Sequence, residues 1–439
     1  MALMTPILLC VQGRSGGTAM MKLLASSGAV FCDRDYPYES KRYLTYFAKL
    51  AELLARGEPP DPFNESAMVE FNNCVFGGFP WTYSQAYEGT NWPPDRVDWL
   101  RVFWQGFSRL AARSNPEARY YSEKAPAWLP GIVRQAVPAE VMYVFRDLRD
   151  VYLSTQKWGR TDAEYLERQK AGETGEIAHM LAYEFMQNYE HYVADRAAGD
   201  AFMVRYEDSI RDAPGTISRI EERFRLRLNL KRSREEWSRH ATSPSLEASV
   251  ERWRTEGLDE RAHRALRMCA GHEMRDLGYE VGDLPAPFFE LSYSREDMPA
   301  QSIHESPDGR LHLESGRARV EIQGARYWLT LPVKDFDAEA LDHIWVCVAE
   351  GPGNVCAIDW AADGPSTEAA CFHVEYQPSA NWRVLDFPVK RHAEWRGKIR
   401  EMRLHLFNLY QEGFGRRLSL ATACQGTGYL RWIRGFKLD

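Results

Sequence analysis

The stretch Ile7-Leu-Leu-Cys-Val-Gln-Gly-Arg-Ser-Gly-Gly-Thr18 decides the reading of the first half of the chain. Its leading apolar residues form a short unbroken run, as a strand buried on both faces requires. Gly13, Gly16 and Gly17 then allow a tight turn, and residues 18–27 have helical spacing. Gly28 stands where a helix C-terminus favours glycine. Strand, glycine-rich turn and helix N-terminus in that order aim successive backbone N–H groups at one spot, which suits an anion. Arg14, Ser15 and Thr18 add side-chain donors. A plain strand–helix turn that uses glycine only for its geometry is the simpler reading of the same letters.

Residues 141–145 (Val-Met-Tyr-Val-Phe) and 201–205 (Ala-Phe-Met-Val-Arg) read as further strands, with helical spacing over 148–158 and 216–224. The alternation predicts an α/β fold, a parallel sheet covered by helices. Between Gly282 and Pro307 stand Pro285, Pro287, Pro299 and Pro307, with weak periodicity, as in a linker. Beyond it come short alternating segments at 317–323, 343–349, 371–376, 400–407 and 429–437, separated by turn residues, the texture of an all-β sandwich. The expected organisation is an α/β domain over 1–290, a linker over 291–306 and a β-sandwich over 307–439.

The 439 residues fit two or three domains at about 150 residues each. With 55 Lys and Arg against 62 Asp and Glu, the chain lacks the basic excess of a general nucleic-acid binder. The apolar run at 7–11 is too short for a membrane span or a signal core. Eight cysteines are scattered without a C-x-x-C pair or a partnering histidine cluster. That is the usage of a reducing compartment, so the expectation is a cytoplasmic protein without a transmembrane segment. The oligomeric state has no signature in the sequence.

The segment after residue 145 reads Arg146-Asp-Leu-Arg-Asp-Val-Tyr-Leu-Ser154. An Arg at a strand's carboxyl end and a Ser about two helical turns on can lie on one side of a helix and hold a phosphate, the guanidinium by a forked contact. The nucleoside-triphosphatase loop is a different pattern, needing G-x-x-x-x-G-K-[S/T]. Here Met20 and Met21 occupy the region of its Lys and hydroxyl, and the strand at 141–145 runs into Arg146 rather than a metal-binding Asp.

Together these segments resemble the nucleotide-binding elements of the sulfotransferases that use 3′-phosphoadenosine-5′-phosphosulfate (PAPS). That family's [K/R]-S-G-[T/S]-T element is matched by Arg14-Ser-Gly-Gly-Thr18, with Gly17 where many members carry Thr or Ser. Val204-Arg-Tyr-Glu-Asp208 is similar to a later strand of the family, and Arg252-Trp253 with Leu277-Gly-Tyr279 to its closing segment. The resemblance implies a three-layer, P-loop-like catalytic domain and PAPS as co-substrate. It implies that Arg14, Ser15, Gly16, Gly17, Thr18 and Ala19 embrace the 5′-phosphosulfate. It further implies that Arg146 and Ser154 hold the 3′-phosphate and that Tyr206 and Arg252 complete the nucleotide site.

Sulfuryl transfer needs an acceptor hydroxyl, a base, and positive charge around the moving group. Arg14 is the candidate for the charge on the leaving phosphate. Lys124, in a Lys-x-Pro element (Lys124-Ala-Pro126) like that of several family members, is the candidate for the sulfuryl oxygens. Glu39 in Tyr36-Pro-Tyr-Glu39 is the favoured base, with Asp35 as the alternative; Glu39 has a second reading as the ion-pair partner of Arg42. His179 and His191 come late in the chain and read as surface or core residues. No metal is expected, because Gly271-His-Glu-Met-Arg-Asp276 lacks the second His of a metalloprotease helix.

For the acceptor, residues 60–105 combine Trp81, Trp92, Trp99 and Trp104 with Asn72, Asn73, Gly77 and Gly78. Such a mixture suits sugar rings and serves equally as the core of an insertion. Residues 394–404 and 429–438 are similar to closing strands of galactose-binding-like jelly rolls. The expected partner is therefore a hydroxyl-bearing small molecule or glycan, the reaction an in-line sulfuryl transfer to a carbohydrate or glycoconjugate. A non-catalytic glycan-binding protein with a degenerate sulfotransferase fold and a P-loop small-molecule kinase stand as alternatives.

Overall fold

In the computed structural model, strand β1 (Thr5–Val11) is the middle of a five-stranded parallel sheet. It is flanked by β3 (Tyr120–Ala125) and β4 (Glu140–Phe145), with β2 (Val30–Phe31) and β5 (Phe202–Arg205) outermost. The structure describes residues 3–34, 38, 41–55, 96–159, 174–229, 245–293, 305–324, 327–353, 355–362, 371–375, 382–408 and 426–438. The strand order 2-3-1-4-5 reverses direction at β1, and in open α/β sheets ligands bind at such a switch point, outside the carboxyl ends of the strands.

The chain forms two compact units: residues 1–146 with 195–252, and residues 147–194 with 253–439. The first unit holds the parallel sheet. Because strand side chains alternate, Ile7 and Leu9 of β1 face one way, toward α1 (Gly17–Ala25) and α8 (Ala213–Phe224). Met20, Met21, Leu24, Ile220 and Phe224 close that layer with Met142, Val144 and Val204 of the sheet. On the other face, Tyr121 packs against Trp104 and Phe107 of α3 (Arg96–Ser114). The same aromatic cluster takes in Tyr43 of α2 (Tyr43–Ala55). Helix, sheet, helix: the predicted three-layer α/β arrangement is present.

Helices α4 (Leu129–Ala136), α5 (Leu148–Gly159), α6 (Thr174–Ala197), α7 (Tyr206–Arg211), α9 (Arg252–Glu256) and α10 (Glu260–Asp276) are the other α-helices among the described residues. In the second unit, two antiparallel sheets face each other. One joins β10 (Phe336–Asp337), β15 (Lys398–Asn408), β12 (Val355–Ala362) and β13 (Cys371–Glu375), with β9 (Trp328–Thr330) also on β15. The other joins β14 (Arg383–Phe387), β11 (His343–Glu350), β16 (Gly426–Phe436), β8 (Arg317–Ile322) and β7 (Gly309–Glu314), with β6 (Phe289–Ser292) also on β16. Ile344, Val346, Ile358, Leu404, Leu406 and Ile433 meet between them, so the second half is the expected β-sandwich. The two jelly-roll-like segments lie in different sheets, as β15 and β16.

The outer face of the six-stranded sheet is covered by helices of its own unit. Tyr183 and Gln187 of α6 donate to the Val384 carbonyl, and Glu190 accepts from Arg431 and from the Trp432 indole. Buried Arg434 pairs with Glu273 of α10 and Glu290 of β6. Of the proposed linker, residues 294–304 lie outside the described residues, and residues up to Ser292 belong to β6. Trp81, Trp92, Asn72, Asn73, Gly77 and Gly78 also lie outside them. Trp104 is core: its side chain is buried and its indole donates to the Met4 carbonyl at 3.1 Å.

Replacing Trp104 by Ala removes the centre of the aromatic layer on β3. The expected loss is about 3–5 kcal/mol, read as a lowered urea-unfolding midpoint; an unchanged midpoint would mean that this layer does not hold the sheet.

Candidate active site

The candidate residues of the first unit gather at the carboxyl ends of β1, β3, β4 and β5. The turn after β1 is built by two left-handed residues, Arg14 at φ 65° and Gly16 at φ 90°. For a non-glycine residue that conformation costs roughly 1–2 kcal/mol, so the contacts around Arg14 must hold it. Two of them are plain: the Ser15 N–H donates to the Gln12 carbonyl, and the Arg14 carbonyl accepts from Arg146 Nη1 at 2.8 Å.

Each glycine of the turn has a steric reason. A β-carbon on Gly16 would stand 2.3 Å from Cδ2 of Tyr206, and one on Gly17 would stand 2.7 Å from Cγ1 of Val11. The departure at Gly17 from the family's Thr or Ser is thereby explained: Val11 fills the space that a branched residue would need. Gly16 caps α1 without a side-chain hydrogen bond, and the first turn of α1 carries no acidic residue. A helix N-terminus so built directs its N–H groups and positive dipole end outward. Ser15 Oγ is buried and has no hydrogen-bond partner among the described residues, an orphan donor within the turn.

Lys124 closes the turn from β3. It is 8% exposed, and its Nζ donates to Thr18 Oγ1 at 2.9 Å. Arg146, at the end of β4, is buried and donates from Nη1 to Arg14 and from Nη2 to the Ser249 carbonyl. Its guanidinium lies 4.6 Å from the centre of the Tyr206 ring, and the Tyr206 hydroxyl shares a hydrogen bond with Ser249 Oγ. The forked phosphate contact expected of Arg146 is thus occupied by two carbonyls, and its Nε is the donor without a partner. Arg252 is buried in the same unit. Ser154 is buried in α5 of the second unit.

Glu39 and Asp35 lie outside the described residues. The segment that follows them is anchored by Glu123, which sequence reasoning passed over. Its carboxylate accepts from the Leu44 and Thr45 N–H groups, the Thr45 hydroxyl and the Tyr121 hydroxyl. Burial pushes the Glu123 carboxyl above its ordinary range, and these four donors pull it back. Because neighbours on a strand face opposite ways, Glu123 caps α2 while Lys124 reaches the glycine turn. In the sequence it left only the adjacent opposite charges Glu123 and Lys124, with nothing local to mark a strand.

In the second unit the charged run after Arg146 proves structural. Asp147 makes a buried ion pair with Arg149, whose guanidinium lies 3.7 Å from the centre of the Trp253 ring and donates to the Glu280 carbonyl. Asp150 accepts the Trp253 N–H. The run therefore holds the closing segment in place. His179 and His191 are buried, and burial depresses both, His191 to about 3.

These features make a basic, glycine-lined turn at the switch point of a parallel sheet. The chain belongs to the sulfotransferase family, whose model matches residues 6–230. Among solved structures it is similar to sulfotransferase STF9 from Mycobacterium avium at 13% identity and TM-score 0.35, covering 64% of this chain and 79% of that one. A retinol dehydratase in complex with androsterone and the inactive cofactor PAP matches at 17% identity and TM-score 0.32, over 64% of this chain and 84% of that one. The CsCBM6-3 module from Clostridium stercorarium, in complex with cellobiose, matches at 14% identity and TM-score 0.21, over 36% of this chain and 99% of that one. No curated protein matches the chain.

Glu123→Gln turns one acceptor oxygen into an amide that faces a backbone N–H. The expected loss is about 1–3 kcal/mol, with Tyr121→Phe costing less; equal stability of the Gln variant and the wild type in urea would show that α2 is anchored elsewhere.

Proposed function

We propose that the protein transfers the sulfuryl group of PAPS to a hydroxyl of a carbohydrate or glycoconjugate. The observation that carries this reading is the convergence of the Arg14 turn, Lys124, Arg146 and Tyr206 at one end of the parallel sheet of a sulfotransferase-family chain. The residues fit the nucleotide: a β-carbon would fill the cradle at Gly16 and Gly17, Ser15 Oγ is an orphan donor, and the charged groups at the turn are cationic.

In this reading Ser15, Gly16, Gly17, Thr18 and Ala19 receive the 5′-phosphosulfate. Arg146, Tyr206 and Arg252 are assigned to the 3′-phosphate and the nucleoside. The acceptor oxygen attacks sulfur in line as the bond from sulfur to the phosphate oxygen breaks. The electron pair of that bond stays on the phosphate, where Arg14 offsets the charge. Lys124 serves the equatorial sulfuryl oxygens, and Glu39 takes the acceptor's proton. Thr18 holds the Lys124 ammonium in place beforehand, which is positioning rather than chemistry.

The same reading gives catalysis to the part of the chain that carries the parallel sheet and acceptor holding to the β-sandwich. The described cysteines are free thiols, which supports a cytoplasmic setting. Among the described residues no helix is long and apolar enough to cross a membrane.

Calorimetry with 3′-phosphoadenosine-5′-phosphate tests the donor, with ATP–Mg and AMP as controls. Binding that depends on the 3′-phosphate is expected, and a preference for ATP–Mg would replace the reading by a kinase. Arg146→Ala should weaken that binding by roughly 1.5–3 kcal/mol, about 10- to 150-fold; unchanged affinity sinks the assignment of Arg146. For the base, Glu39→Gln should lower turnover about 10²–10⁴-fold with nucleotide affinity intact. If Asp35→Asn does so instead, the proton goes to Asp35.

A further inference from the structure

Within the second unit, α6 meets the outer face of the six-stranded sheet through a cluster that the transfer reaction does not use. Glu176 and His179 stand one turn apart on α6, and His343 opens β11. A ring nitrogen of each histidine and a carboxylate oxygen of Glu176 lie within 4.8 Å of one another. His343 Nε2 is 3.2 Å from both oxygens of Glu176, and the two imidazole rings are 3.9 Å apart. His179 is 3% exposed, yet its Nε2 has no hydrogen-bond partner among the described residues.

We propose that Glu176, His179 and His343 bind a zinc-class divalent cation that staples helix α6 to strand β11. Zinc bonds of about 2.0–2.1 Å in a tetrahedron place ligand atoms about 3.3 Å apart, which the His343–Glu176 spacing already matches. His179 needs a ring rotation to close the third edge. Behind the site, Asp386 Oδ1 accepts from His343 Nδ1 at 2.9 Å, the carboxylate–histidine support that fixes the tautomer of a metal ligand. The donor set favours zinc over calcium or magnesium, since two of three ligands are imidazoles.

Charge balances as well. Two neutral imidazoles and the carboxylates of Glu176 and Asp386 offset a dication. Arg391 Nη2 also reaches Glu176, from an exposed side chain that can leave for solvent, and Lys390 is paired with Asp342. Trp345 and Phe436 pack on His179 and give the site an apolar wall. On binding, zinc takes the place of the proton that His343 and Glu176 share, and that proton goes to buffer.

Zinc is titrated into chelator-treated full-length protein and followed by calorimetry. One equivalent per chain is expected. His179→Gln and Glu176→Gln should abolish the saturable phase. Asp386→Asn, which touches no metal, should weaken binding about 10- to 100-fold. Absence of saturable binding in the wild type, or a His179→Gln variant that binds as tightly, overturns the proposal. Because changes in so buried a cluster can unfold the chain, wild-type thermal unfolding is also compared with zinc and with chelator. A midpoint that zinc leaves unchanged counts equally against the staple.

Discussion

The guanidinium of Arg146 is the constraint on which the glycine turn depends. It is buried at the end of β4 and donates to two backbone carbonyls, those of Arg14 and Ser249, rather than to a carboxylate. Three consequences follow from that choice of acceptor. The Arg14 carbonyl is fixed in direction, which holds Arg14 in its left-handed conformation. The Ser249 turn is drawn to the same point, where its hydroxyl orders Tyr206. Carbonyl dipoles also take two of its hydrogen bonds without cancelling the charge, as a carboxylate would, so the cation keeps its positive field.

Strand β3 divides its labour between its two faces. Lys124 points to the glycine turn and Glu123 to the start of α2, so adjacent residues of opposite charge serve separate tasks without neutralising each other. Register carries this arrangement: a slip of one residue would exchange the two charges between the faces. The register of β3 on β1, with Lys124 opposite Leu9, therefore decides which charge reaches the glycine turn.

The glycine turn, the strands at 141–145 and 201–205 and the sandwich texture were legible because each rests on local pattern. β3 was not, because Tyr-Tyr-Ser-Glu-Lys-Ala buries its polar residues against long-range partners that no window of sequence displays. Sequence reading found Arg146, whereas the carbonyls that engage it come from residues 14 and 249. It also read the run from Asp147 to Asp150 only as spacing between Arg146 and Ser154, although these charges lock Trp253 in place. The covered outer face of the six-stranded sheet did leave a trace. Residues 344–349 are apolar without alternation, which means burial on both sides, whereas a solvated sandwich face would alternate.

The aromatic seam between α2 and α3 bears on how much change in sequence the fold tolerates. Tyr43 stacks near Phe107 and Phe47 near Phe103, with ring centres 4.7 and 5.7 Å apart, while Glu123 secures the start of α2 from below. Both helices are thus fastened to the sheet by residues outside 56–95, the stretch of chain that joins them. A change of length or sequence in that stretch therefore leaves both helices with the contacts that hold them to the sheet.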